Sequence, residues 1–247
     1  HRNLAIGYQA LDASVSGDDN IALGHSALGN LSSSGGHKNI AIGNYAGDGM
    51  GAVGNPTNNI FIGYNAGGGT WTTAASNGNI AIGGYALDEA LNGASYNVAI
   101  GEYALSNVTQ ADNTVAVGRN AGGSLTTGGN NTLVGYNAGT TGVVDLVGGN
   151  SNTYIGSETR GSNASAINQT VIGKGAHGQG NNAVVLGNAD VTAIYAAQDS
   201  GATIYAAGLV EGSSMTLKEN IAEIESPLDK LTKLRGVEFD YKSTKER

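Results

Sequence analysis

A five-residue phrase recurs eleven times along this chain, and every copy closes on glycine. The copies are NLAIG (3–7), NIALG (20–24), NIAIG (39–43), NIFIG (59–63), NIAIG (79–83), NVAIG (97–101), TVAVG (114–118), NTLVG (131–135), NTYIG (152–156), QTVIG (169–173) and AVVLG (183–187). Their glycines stand 17, 19, 20, 20, 18, 17, 17, 21, 17 and 14 residues apart. A unit this short buries its apolar face only against neighbouring copies, which is the condition for a solenoid. That excludes a compact enzyme fold for most of the chain and makes an elongated fibre the leading expectation.

Within the phrase the side chains alternate, and a period of two argues for strand. The middle position holds Ala5, Ala22, Ala41, Phe61, Ala81, Ala99, Ala116, Leu133, Tyr154, Val171 and Val185. The flanking positions hold larger aliphatics, as in Ile40 with Ile42, or Thr132, Thr153 and Thr170 in late copies. Both faces are therefore expected to be partly buried. The closing Gly suits a coil corner, and the leading Asn suits a turn and would stack into an Asn ladder of structural purpose. Three residues after most of the glycines comes Ala, then usually Leu or Gly. This half-phrase is expected to be a second short strand or a corner, giving coils of two strands and two connections. At ~4.8 Å per coil the stack would rise roughly 50 Å.

With 41 Gly and 2 Pro in 247 residues the chain stays below the low-complexity range, so order is expected. It has no Cys, hence no disulfide framework and no thiolate metal site. It has no apolar run long enough to cross a membrane as a helix, so no direct membrane insertion is expected. Beginning at His1 inside a repeat, it is expected to be a fragment of a longer protein. Residues 1–212 carry 5 Lys/Arg against 13 Asp/Glu, whereas residues 213–247 carry 7 of each. The acidic body argues against nucleic-acid binding, and the shift near residue 212 marks a domain boundary.

The Asn-Ile-Ala-Ile-Gly unit and its following Ala resemble the head repeat of trimeric autotransporter adhesins, related forms of which occur in phage tail fibres. The resemblance covers about residues 1–190 and implies a left-handed parallel β-roll in which three chains share one axis. Surface-to-volume scaling independently favours a homo-oligomer, because a lone narrow coil buries little. Residues 191–212, with the near-copies TAIYAA and TIYAAG, read as a β neck.

From residue 213 the pattern changes. Ser226-Pro227 suits a helix start, Leu228, Leu231 and Leu234 share one face, Gly236 suits a stop, and Val237–Tyr241 reads as a short strand. LKENI (217–221) and LDKLTKLRGVEFDY (228–241) resemble the beginning of the intramolecular chaperone of endosialidase-type phage tail spikes and fibres. That resemblance implies a trimerising assembly module, present here only in part. It also implies self-cleavage at Gly212–Ser213, with Ser213 attacking and Lys218 as base; a non-cleaving hinge and Ser214 as nucleophile stay open.

Tyr45, Tyr64, Tyr85, Tyr103 and Tyr136 follow glycines by one or two places, as does Tyr8. They are candidates for stacking sugar rings, or for packing at the coil corner. Trp71, alone in the spacer GGGTWTTAASNG, is a candidate receptor contact or a loop anchor. His1, His25, His37 and His177 show no metal-ligand spacing and read as surface residues; no metal or cofactor is expected. The fold expected is all-β: a trimeric parallel β-solenoid of about eleven coils with a short α/β C-terminal segment. The function expected is adhesion or receptor binding by an extracellular fibre, on a virion tail or a bacterial surface, toward a host glycan or protein. A polysaccharide-degrading tail spike and a purely structural shaft are the alternatives.

Overall fold

The computed structural model describes residues 2–13, 16–31, 35–51, 54–71 and 74–194. The chain divides into His1–Ile194 and Tyr195–Arg247, and the described residues all belong to the first unit. Most of the expected neck, the helix start at Ser226-Pro227 and the pair Ser213 and Lys218 lie outside the described residues.

Each phrase forms one three-residue strand. They are β1 (Leu4–Ile6), β2 (Ile21–Leu23), β3 (Ile40–Ile42), β4 (Ile60–Ile62), β5 (Ile80–Ile82), β6 (Val98–Ile100), β7 (Val115–Val117), β8 (Thr132–Val134), β9 (Thr153–Ile155), β10 (Thr170–Ile172) and β11 (Val184–Leu186). All pair in parallel and in chain order to make one eleven-stranded sheet. The register is constant, with middle residue beside middle residue: Ala22 by Ala41, Ala41 by Phe61, Ala81 by Ala99. The expected parallel β-solenoid is the fold observed.

Both faces are partly buried, as expected, but unequally: Ile40, Ile42, Ile60 and Ile62 are half-buried beside wholly buried middle residues. From β2 to β10 the middle residues are fully buried, while Leu4, Ile6, Leu23, Ile100, Ile155 and Ile172 remain 38–55% exposed. The coil is too narrow for side chains from both faces of one strand, and only the inward face finds a core. Of the two readings of the second half-phrase, the corner is the one observed, so each coil has one strand rather than two. The corner is a run of turns in which alternate residues take left-handed backbone, as in Tyr85 (φ 57°) and Leu87 (φ 51°), or Asn120 (φ 56°) and Gly122 (φ 61°). Alternating left-handed residues curl the chain and cannot extend as a strand.

The core is filled by trading volume between strand and corner. In several coils a strand Ala is matched by a corner Leu: Ala22 with Leu28, Ala81 with Leu87, Ala99 with Leu105, all buried. Phe61 and Leu133 have Gly67 and Gly139 at their own corners, and the coil before each also has Gly, although its strand offers Ala. A Cβ on Gly67 would lie 2.7 Å from the Phe61 ring, one on Gly47 3.0 Å from it, and one on Gly122 2.7 Å from Leu133 Cδ1. Interiors tolerate little excess or missing volume, so these positions are set jointly.

The Asn ladder is present and buried. Asn39, Asn59, Asn79 and Asn97 are fully buried. Each Oδ1 accepts the backbone N–H of the next rung at 2.9–3.0 Å. Each Nδ2 donates to a carbonyl three residues before the next rung: Pro56, Ser76, Ala94 and Ala111. One side chain thus closes its own coil and pins it to the next. Thr114 interrupts the series, and Asn131 N–H reaches its Oγ1 only at 3.5 Å.

Candidate functional site

An aromatic row runs along one corner of the solenoid, just past the closing glycines. Tyr8 stacks on His25 (centroids 5.4 Å apart, planes 24°), and His25 meets Tyr45 edge-on at 5.0 Å. Tyr45 meets Tyr64 at 5.8 Å, Tyr64 meets Tyr85 at 5.4 Å, and Tyr85 stacks on Tyr103 at 5.1 Å with planes 4° apart. The row then changes chemistry. Glu102 holds Arg119 at 3.0 Å, and the Arg119 guanidinium lies 5.9 Å from the centre of the Tyr136 ring. All six tyrosines that follow closing glycines in the sequence therefore lie along one corner, and His25, read there as an ordinary surface residue, is a rung of the row. The signal for it was its position one place after Gly24, where Tyr8 and Tyr64 stand in their own coils.

Only Tyr8 with His25 and Tyr85 with Tyr103 set ring face against ring face; the other three contacts along the row are edge-on. Tyr8, Tyr64 and Tyr136 are the most exposed of the row, at 44–70%. Tyr45, Tyr85 and Tyr103 also hold left-handed backbone, with φ of 57–61°, where other coils place Asn65, Asn120 and Asn137. Left-handed backbone costs a residue with a Cβ about 1–2 kcal/mol. A ring pair returns about 0.5–1.5 kcal/mol, so these tyrosines add little net stability to the coil.

Trp71 stands elsewhere. It is 1% exposed, its ring meets Phe61 edge-on at 6.1 Å, and its backbone N–H donates to the Gly49 carbonyl at 2.9 Å. The receptor-contact expectation is corrected: Trp71 anchors its spacer to the core, because Phe61 in β4 offers a large apolar neighbour.

In the next spacer Asp88 is half-buried beside Glu89. Burial is the main cause that lifts its carboxyl from the ordinary 3.8 to about 6; the Glu89 charge adds to this, and a hydrogen bond from Asn65 opposes it. A carboxyl whose folded pKa is raised favours the folded chain most when protonated, below the unfolded value. That contribution is lost as pH rises from about 4 to about 6. Melting temperature is therefore expected to gain from Asp88 as pH falls from 7 to 4.5. Asp88→Asn should remove that increment and raise the melting temperature at pH 7. A variant with the wild-type pH profile would refute the assignment.

A polar recess lies toward the last coils. Arg160 and His177 occupy the corner position that holds Leu or Gly in the first eight coils. There the backbone is left-handed from Leu11 to Gly139, but neither Arg160 nor His177 has a positive φ, and the two form a parallel bridge instead. Tyr154 in β9 explains the change. Its ring fills the interior, with its hydroxyl against Gly161, so no corner Leu is needed and the polar side chains sit half-exposed.

Residues 213–247 match the family model described as the chaperone of endosialidase. The C-terminal segment thus carries the chaperone signature that its motifs suggested. No curated protein and no solved structure matches the chain significantly. Solenoid followed by chaperone segment is an arrangement consistent with a tail fibre or spike-type protein of a phage. Among the described residues no helix is long and apolar enough to cross a membrane.

Proposed function

We propose that this chain is part of a homotrimeric extracellular fibre that attaches to a host cell-surface structure, with its C-terminal segment serving as an assembly module. The observation that carries the reading is the outward aliphatic face. Pairs such as Leu4 with Ile6 and Ile21 with Leu23 stand 36–55% exposed on adjacent parallel strands, and similar residues recur to Leu186. A single-chain rod with a continuous apolar stripe along its length would aggregate, and a contiguous patch of this kind marks an interface. A second and third copy placing the same stripe on a common axis would cover it by cyclic symmetry. On this reading residues 1–190 form the head repeats, of the kind seen in trimeric autotransporter adhesins and related phage fibres. Residues 191–212 form a neck and residues 213–247 begin the chaperone. Ser213 and Lys218 are then the pair for release at Gly212–Ser213.

Receptor contact is assigned to the aromatic corner, through the hydroxyls and ring edges of Tyr45, Tyr64, Tyr85, Tyr103 and Tyr136 toward a glycan. Tyr85→Asn separates folding from binding, because Asn occupies the equivalent left-handed position in other coils. The expected result is unchanged thermal unfolding with weakened attachment to host cells. Native mass is the companion measurement. Wild type should weigh three chains, and Ile82→Glu with Ile100→Glu should give one. A wild-type monomer would remove the reading.

A further inference from the structure

We propose that the recess around Arg160 and His177 is a binding site for the carboxylate of an acidic sugar of the hexuronate type. It extends the attachment reading by naming a ligand chemistry, and rests on that reading for the source of the sugar. Three observations carry it. Arg160 and His177 replace Leu or Gly in a column that is otherwise built for the core, and they sit on consecutive coils in register. Each carries a buried nitrogen with no hydrogen-bond partner, Nε of Arg160 and Nε2 of His177. And Arg160 lines two adjoining recesses, one of about 550 Å³ with His177, Gln179, Asn188 and Asp190, the other of about 230 Å³ with Asn137 and Thr141.

The other two arginines of the described residues are already satisfied. Arg2 pairs with Asp19 at 2.7 Å and Arg119 with Glu102 at 3.0 Å, each across one coil. Arg160 makes no ion pair among the described residues, although it lies in an acidic body. A guanidinium binds a carboxylate through two parallel N–H donors, and a ligand in the recess would meet the part of the Arg160 fork that lines it. His177 adds a donor or an acceptor beside it according to its tautomer. The amides of Gln179 and Asn188 suit sugar hydroxyls. Asp190 accepts an N–H from Asn188 at 3.3 Å, and with Glu158 at the margin it disfavours densely charged sulfate or phosphate polymers. What remains is one carboxylate per sugar on an otherwise neutral, hydroxylated ligand.

The test is calorimetric titration of the full chain with glucuronate- and galacturonate-containing tetrasaccharides and with the same oligosaccharides after carboxyl reduction. An acidic member should bind, and its reduced form should bind at least ten-fold more weakly. Arg160→Gln should lose at least ten-fold in affinity with unchanged circular dichroism, whereas Arg160→Lys, which keeps charge but not the fork, should fall between. Equal affinity for charged and reduced sugars, no binding of any acidic member at millimolar concentration, or an unaffected Arg160→Gln would each overturn the assignment. Cell attachment that survives such a result would leave the attachment reading standing. Sugar-acid binding by a fibre that attaches to no cell would spare this site and remove that reading.

Discussion

Gly83→Ala is expected to disrupt the solenoid, whereas Gly84→Ala, one residue on, should be tolerated. Gly83 has φ of 135°, and a Cβ there would fall 2.6 Å from the Gly101 carbonyl carbon and 2.7 Å from its oxygen. The obstacle is backbone of the next coil, which cannot rotate aside as a side chain can. The same contact recurs through the column, from Gly7 against Gly24 to Gly156 against Gly173. Backbone strain of this kind costs about 1–3 kcal/mol, and forced overpacking adds about 1–3 kcal/mol. Because each coil is held only by its neighbours, the break separates the stack into two shorter arrays. Gly84 by contrast has nothing nearer than the Tyr64 carbonyl oxygen at 3.9 Å and no positive φ. Its replacement should be neutral or stabilise by about 0.4–1 kcal/mol through the unfolded chain. Thermal unfolding of the pair by circular dichroism decides the matter: equal melting temperatures would mean that the glycine column is not what lets the coils approach.

The second large effect is expected from Asn79→Ala. Asn79 Oδ1 accepts from the Asn97 backbone at 3.0 Å and from Asn97 Nδ2 at 3.1 Å, while its Nδ2 donates to the Ala94 carbonyl at 2.9 Å. Its own N–H donates to Asn59 Oδ1 at 2.9 Å. Truncation would orphan the buried Asn97 N–H and the Ala94 carbonyl together, each costing about 1–3 kcal/mol, so a loss of about 3–5 kcal/mol is expected. Asn79→Asp should fare no better, since it sets an oxygen against the Ala94 carbonyl and brings a charge into a buried site. Thr114→Asn runs the other way. It would restore an amide rung where Asn131 N–H now makes a 3.5 Å contact, and should raise stability. Chemical denaturation with all three variants would sink the ladder argument if Asn79→Ala lost under 1 kcal/mol.

The row of tyrosines and the recess at Arg160 were legible to different degrees. Tyr45, Tyr85 and Tyr103 were visible in the sequence because they recur at a fixed offset from glycine. Their face-to-face and edge-to-face arrangement was not, because it depends on coil rise and on left-handed backbone at those positions. Trp71 read equally well as a contact or an anchor until Phe61 was placed beside it. Arg160 carried no signal of its own and His177 read as a surface residue, although each breaks a column of Leu and Gly visible when the repeats are aligned.

By itself the sequence determined the strand in each coil, the parallel stacking, the buried Asn column and the glycine at each close approach. All four depend on residues repeated in register, so each copy states the same local constraint. Only the tertiary structure decided which face of the strand is interior, and that the half-phrase is a corner with alternate left-handed residues. It also decided that a corner is Gly where Phe61 or Leu133 lies in its own coil or the next, and Leu beside strands that offer only Ala. These are properties of the closed coil: the space available to any side chain is set by what the strand and the corner contribute together, a quantity no single stretch of sequence contains.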